Sequence, residues 1–179
     1  MIKLIIGGAR SGKSTFAENG FKGFKDVVYI ATARASDLEM EERIKHHRIS
    51  RPSEWRIFEG SSSLVEAIGY ETNYLLDCIT IMTSNIMFDM TCETEYISEE
   101  LMGKVEEKVV YELDSLMDEI DLKGFDLTLV TNEVGLSIVP EHHISRVFRD
   151  IQGRVNQRVA KRAHEVYIVC AGIPVRIKG

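Results

Sequence analysis

The chain has 179 residues, with 22 Lys and Arg against 28 Asp and Glu and a formal net charge of −6. That length suits one domain over residues 1–179, and 44% hydrophobic against 28% charged residues excludes a disordered chain. The acidic balance argues against a general nucleic-acid binder, and no apolar run reaches the roughly 18–20 residues of a membrane span.

Met1 to Ile6 form an apolar β-rich run that passes straight into glycines, without the h-region and cleavage site of a signal peptide. Further strands are expected at about residues 27–31, 55–58, 73–78, 126–131 and 165–171. A final short strand at Val175-Arg176-Ile177 follows Gly172 and Pro174 closely enough to be antiparallel. Ser36-Asp37-Leu38-Glu39 and Ser63-Leu64-Val65-Glu66 match capping boxes, and Gly69 and Gly124 stand where helix C-termini are expected. Long helical patterns at about 94–121 and 141–163 flank the fifth strand. Strands alternating with helices imply a doubly wound α/β fold with a mostly parallel sheet. Cys78, Cys92 and Cys170 are odd in number and lack CxxC spacing, so they read as reduced, mostly buried thiols of a cytoplasmic protein.

Gly7-Gly8-Ala9-Arg10-Ser11-Gly12-Lys13-Ser14 fits the P-loop pattern GxxxxGK[ST], directly after a strand and opening a helix. Glycines let backbone N–H groups close around phosphate oxygens, and a helix N-terminus adds positive potential. In such a loop Lys13 reaches the β- and γ-phosphates, and the Ser14 hydroxyl ligates Mg²⁺. The bland alternative is a glycine-rich turn without a ligand. Asn73-Tyr74-Leu75-Leu76-Asp77 is an apolar strand ending in a carboxylate. Asp77 is either the Walker-B acid that helps hold Mg²⁺ or an ordinary cap of the next helix.

A switch GTPase needs NKxD after a strand, and the sequence has none. Asp121-Leu122-Lys123-Gly124 fits DxxG but precedes a strand instead of following one. A small-molecule phosphotransferase and a nucleotide-regulated assembly module remain. The run Arg43-Ile44-Lys45-His46-His47-Arg48-Ile49-Ser50-Arg51-Pro52 is unusual for a solvated face. Neutral imidazole attacks phosphorus, and arginines stabilise the charge that develops there. On helical spacing Met40, Ile44 and His47 share one face, whereas His46 turns toward Glu42 and Arg43. The alternative is a surface His pair at a helix end.

These stretches carry a resemblance. The P-loop, Tyr29-Ile30-Ala31-Thr32-Ala33, and the run from Arg43 through His46-His47 to Arg51-Pro52 and Trp55-Arg56 form its first half. Asp77-Cys78-Ile79-Thr80, Val130-Thr131-Asn132-Glu133-Val134-Gly135, Ile138-Val139-Pro140-Glu141 and Phe148 to Gln157 form the second. Over nearly its whole length the chain resembles the adenosylcobinamide kinase / adenosylcobinamide-phosphate guanylyltransferase family of cobalamin biosynthesis. The resemblance implies a RecA-like P-loop core, a homotrimer, and two steps. Adenosylcobinamide is first phosphorylated by a nucleoside triphosphate, GTP or ATP. GMP is then taken from GTP onto a histidine and passed to adenosylcobinamide phosphate. By the same resemblance, GTP is held by Gly7, Gly8, Ala9, Arg10, Ser11, Gly12, Lys13 and Ser14. Ala31, Thr32, Ala33, Arg48, Ile49, Ser50, Arg51, Glu59 and Asp77 complete the set, with Mg²⁺ on Ser14 and Asp77. The guanylylated residue maps to the His pair and is placed at His47. Some relatives are expected to carry Glu where this chain has Asp77.

The remaining conspicuous residues receive plainer readings. Met82, Met87 and Met90 are expected to fill helix-packing gaps. Trp55 is expected to pack beside the His segment, with stacking on guanine as the alternative. Arg146, Arg149, Arg154, Arg158, Lys161 and Arg162 give the last long helix a basic face, by default solvated or at a subunit contact. Asn132 and Glu133 end the fifth strand at the expected ligand edge, with no role assigned.

Overall fold

The computed structural model describes residues 1–34, 52–94 and 96–179. Its centre is a seven-stranded sheet built from β1 (Ile2–Gly7), β2 (Val27–Ala31), β3 (Arg56–Glu59), β4 (Asn73–Asp77), β5 (Asp126–Asn132), β6 (Glu165–Cys170) and β7 (Ile173–Lys178). The strand order is β3-β2-β4-β5-β1-β6-β7, parallel throughout except for β7. Strands covered on both faces read as near-continuous apolar runs, which is why Val27 to Ile30 and Tyr74 to Leu76 are wholly buried. Ala171 and Gly172 link β6 to β7 and both have positive φ, 50° and 80°. That geometry matches the strand twist in a tight hairpin, and it makes the antiparallel last strand.

Alternate residues of each strand feed two cores. On one face Ile2, Leu4, Ile30, Leu76 and Leu129 meet α2 (Ile79–Thr91), α3 (Glu99–Lys123) and α4 (His143–Arg162). On the other, Ile5, Val27, Tyr29, Leu75 and Val130 meet α1 (Lys13–Asn19), Phe21 and Trp55. The expected helices at 94–121 and 141–163 therefore exist with trimmed starts. Ser98 opens α3 by accepting the Leu101 N–H at 3.2 Å, and Glu99 and Glu100 favour its positive end. Gly124 closes it in the left-handed conformation, as expected. Val147, Ile151, Val155 and Val159, four apart, seat α4 on the sheet.

The Ser63 capping box is not formed. Ser63 is left-handed, makes no side-chain cap bond, and begins only a 3₁₀ turn over Leu64–Ala67. Glu112 of α3 takes the Leu64 N–H at 3.2 Å instead, so a tertiary partner displaces the local one. Gly69 lies beyond that turn and donates its N–H to the Tyr74 hydroxyl at 3.1 Å. The Ser36 box lies outside the described residues. Met82 and Met87 are buried as expected, whereas Met90 is 36% exposed. Cys78 is buried, but Cys92 and Cys170 are exposed, against the expectation of mostly buried thiols.

Three residues of the basic run on α4 pair across to α3 while staying partly exposed. Arg154 pairs with Glu106, Arg158 with Asp114, and Arg162 with Asp114 and Asp118, at 2.6–3.1 Å. Partly exposed pairs of this kind contribute about 0.2–1 kcal/mol each, so they fix the helix pairing more than they add stability.

Candidate active site

β1 ends at Gly7, the loop turns over residues 8–12, and α1 starts at Lys13. Ser11 N–H donates to the Gly8 carbonyl at 3.3 Å, and Phe16 N–H to Gly12 O at 2.9 Å makes the first helical bond. A Cβ on Gly7 would press on Ser11 Oγ and lie 2.7 Å from the Val169 carbonyl oxygen. Gly12 has φ 92°, and a Cβ there would lie 3.2 Å from Gly172 Cα. The β6–β7 turn thus backs the loop, and Gly172 N–H ties to Ser11 O at 2.8 Å. At Gly8 a Cβ would meet nothing within 4 Å, so the loop's free side is there. Lys13 Nζ donates to the Gly8 carbonyl at 3.1 Å, across the mouth of the loop. Ser11 Oγ is buried without a partner, a donor still to be satisfied in a loop of converging N–H groups.

Asp77 faces this loop. Its Oδ1 lies 3.5 Å from Ser14 Oγ, and its Oδ2 accepts the Tyr29 hydroxyl at 2.9 Å. The next helix has Cys78 as its N-cap residue with no side-chain cap bond, so Asp77 is not serving as a cap. A hydroxyl and a carboxylate on one side of the phosphate loop are the hard oxygen donors that suit Mg²⁺. Both residues fit that ion. Thr32, also nominated for nucleotide, has its hydroxyl committed. It donates to the Cys78 carbonyl at 2.8 Å and accepts the Cys78 N–H at 2.9 Å, just behind Asp77. Burial, with the Asp77 charge second, pushes the Cys78 thiol up to about 11, so it stays protonated and inert at neutral pH.

Strand register gathers the other nominees along the carboxyl edge of the sheet. Glu59 pairs with Ala31, Ala31 with Asp77, Asp77 with Val130, and Gly7 with Asn132. Parallel sheets place ligands beyond this edge. Ala33 is half-buried and Arg34 exposed where β2 leaves the edge. Arg34 grips Asp89 of α2 through two bonds of 2.7 and 2.8 Å, and Ser61 at 2.9 Å. Asn85 Nδ2 donates to the Thr32 carbonyl at 2.8 Å. His46, His47, Arg48, Ile49, Ser50 and Arg51 lie outside the described residues. Trp55, beyond them, is a core residue. Its indole N–H donates to Phe24 O at 3.0 Å, its ring meets Phe21 edge-on, and at 6% exposure it offers guanine no open face.

The family described as "Cobinamide kinase / cobinamide phosphate guanyltransferase" matches residues 3–177. The chain belongs to that family. The bifunctional adenosylcobalamin biosynthesis protein CobU of Escherichia coli (strain K12) is 42% identical over 182 residues, covering 99% of this chain and 100% of that protein. The bifunctional adenosylcobalamin biosynthesis protein CobP of Pseudomonas aeruginosa is 34% identical over 184 residues, covering 100% and 98%. Among solved structures, the P4 protein from bacteriophage phi6 in complex with ADP aligns with 97% of this chain and 52% of its own. Its TM-score is 0.47 at 13% identity.

Within this cobinamide kinase / guanyltransferase, three partners of the site were not legible beforehand. Tyr29 supports Asp77 from the neighbouring strand, and Thr80 accepts the Asn132 N–H at 2.7 Å. Asn156 of α4 reaches the Asn132 carbonyl at 3.1 Å. Tyr29 had one available signal: it lies two residues before Ala31, on the same face of β2, beside the strand that ends in Asp77.

Proposed function

We propose that one phosphate cradle serves both reactions of this bifunctional enzyme. The observation that carries the reading is the approach of Ser14 to Asp77, 3.5 Å, at the foot of a complete P-loop. Residues 7–14 hold the triphosphate by backbone N–H groups, the Ser11 hydroxyl and Lys13, whose ammonium leaves Gly8 O for phosphate oxygens. Ser14 and Asp77 hold Mg²⁺, which when bound neutralises charge developing on the phosphate oxygens. Tyr29 and Thr32 keep Asp77 and its following peptide in place.

In the first step the aminopropanol hydroxyl of adenosylcobinamide takes the γ-phosphoryl group of GTP or ATP. In the second, a neutral imidazole, His47, attacks the α-phosphorus of GTP and pyrophosphate leaves. A phosphate oxygen of adenosylcobinamide phosphate then attacks the same phosphorus and frees the histidine, giving adenosylcobinamide-GDP. A P-loop ordinarily cradles β- and γ-phosphates, so the His-bearing stretch must reach the α-phosphate of GTP held there. Arg48 to Arg51 and Glu59 complete the GTP site in this reading.

The enzyme works as a homotrimer in the cytoplasm. Exposed apolar residues Ile173, Val175 and Ile177 on the edge strand offer a surface that a subunit contact would cover. Exposed thiols at Cys92 and Cys170 suit a reducing compartment. Among the described residues no helix is long and apolar enough to cross a membrane. The test is product analysis with adenosylcobinamide, GTP and Mg²⁺. Adenosylcobinamide-GDP with pyrophosphate supports the reading, and GDP with adenosylcobinamide phosphate alone reduces it to a kinase.

A further inference from the structure

Four buried side chains from three elements converge on the last residue of β5. Thr80, Thr131, Gln152 and Asn156 are each no more than 6% exposed. The direction of each bond follows from counting protons. Thr131 gives its one hydroxyl proton to Asn156 Oδ1 at 2.8 Å, so in the 3.2 Å Thr80–Thr131 contact Thr80 is the donor. Thr80 Oγ1 then accepts the Asn132 N–H at 2.7 Å. Gln152 Nε2 braces Thr131 at 3.0 Å and Asn156 at 2.8 Å, and Asn156 Nδ2 donates to the Asn132 carbonyl at 3.1 Å. Burying this many polar groups is tolerated because nearly all of them are hydrogen-bonded, and a satisfied network holds what it bonds in one place. What it fixes is the backbone of Asn132, on both sides.

The Asn132 side chain takes no part in that network. Thr131 faces the helices α2 and α4, so Asn132 projects from the opposite face, the one covered by α1 and the P-loop. It stands level with Gly7 on β1 and two residues past Val130, the partner of Asp77. Its Oδ1 is buried and has no hydrogen-bond partner. Gln152 Oε1 shares that lack, but Gln152 is wholly enclosed, whereas Asn132 is the member at the ligand edge. A carbonyl oxygen needs a donor, and triphosphate oxygens are acceptors only. Bare triphosphate oxygens therefore cannot satisfy it, whereas a substrate hydroxyl reaching this edge can.

We infer that Asn132 is a catalytic residue of phosphoryl transfer, its Oδ1 accepting a hydrogen bond from the alcohol of the acceptor substrate. This rests on the reading of the site as a kinase of adenosylcobinamide. The bond aims the alcohol oxygen at the γ-phosphorus. The new O–P bond forms as the bond to the β–γ bridging oxygen breaks, and the nucleoside diphosphate departs with that electron pair. The alcohol proton leaves on an oxygen of the transferred group and passes to solvent, because a carboxamide is no base. The network makes the alignment rigid, since a small displacement of a positioning group is felt strongly in rate.

The test is steady-state kinetics of Asn132→Ala and Asn132→Asp with adenosylcobinamide and GTP, beside the wild-type enzyme. Asn132→Ala should lower kcat for phosphorylation about 100-fold with KM for GTP within about threefold. Labelling of the protein by [α-³²P]GTP, which involves no alcohol, should fall far less than kcat. Asn132→Asp keeps an acceptor in the same shape and should recover about tenfold of that loss, with a raised KM for GTP from like-charge repulsion. Wild-type kcat in Asn132→Ala overturns the inference. So does an Asp variant as slow as the Ala variant with KM for GTP raised in both, which would place the amide on the triphosphate. If the wild type itself fails to phosphorylate adenosylcobinamide, the underlying reading falls instead.

Discussion

Ser14 and Asp77 meet at 3.5 Å although the strands that lead to them are not neighbours. Ser14 is in the first turn of α1, which follows β1 through the P-loop, Asp77 ends β4, and β5 runs between those two strands. Loop and carboxylate face each other beyond the carboxyl edge, where the proposed triphosphate and cation would lie.

Asp77→Asn keeps the shape and the Tyr29 contact while removing the charge. Both half-reactions should slow by about 100-fold, and the Mg²⁺ concentration giving half-maximal rate should rise. Titrating Mg²⁺ against both activities checks this. An unchanged Mg²⁺ dependence would mean that Asp77 does not serve the ion.

Gly12→Ala should damage the loop itself. A residue with a Cβ is strained at φ 92° and crowds Gly172 at 3.2 Å, so stability should fall by about 1–3 kcal/mol. Nucleotide affinity should fall with it. Urea unfolding with and without GTP measures both, and a variant of wild-type stability would show that the β6–β7 turn yields easily.

The P-loop was legible because its residue types and spacing dictate backbone geometry at short range. The strands were legible as apolar runs, because both faces of the sheet are covered. Asp77 was not decided by sequence, since whether it caps the next helix depends on where that helix starts and on the carboxylate's contacts with Ser14 and Tyr29. The Asn132 network joins residues 80, 131, 152 and 156, whose meeting depends on tertiary packing. Ser63 misled for the same reason: a local capping pattern lost to Glu112, distant in sequence but adjacent in space.

Acid should weaken the fold partly through Glu71. Its carboxylate accepts Arg56 Nε at 2.7 Å and Nη2 at 3.0 Å, and these bonds hold it below the usual carboxylate range. A depressed folded pKa gives stability that is present above the ordinary value and lost as pH falls through the folded one. Glu71→Gln should therefore cost about 2 kcal/mol at neutral pH, and the gap to wild type should shrink below about pH 4.5. Denaturant unfolding at several pH values tests the sign; a gap that widens in acid contradicts it.

The two histidines should separate the two activities. His47→Ala should lose transfer of GMP while keeping appreciable kinase activity, because phosphorylating a hydroxyl needs no histidine nucleophile. His46→Ala should be milder. Label from [α-³²P]GTP should be acid-labile and map by peptide analysis to His47. Label at His46 would reverse the assignment, and label on lysine would remove the histidine mechanism.

The sharing of one phosphate cradle is tested most directly by Lys13→Ala, assayed for both half-reactions on the same folded preparation. Phosphorylation of adenosylcobinamide and guanylylation of the protein should both fall by about 1,000-fold, because both use triphosphate held by the same loop. Either activity persisting within a few-fold of wild type would mean that a second nucleotide site performs it.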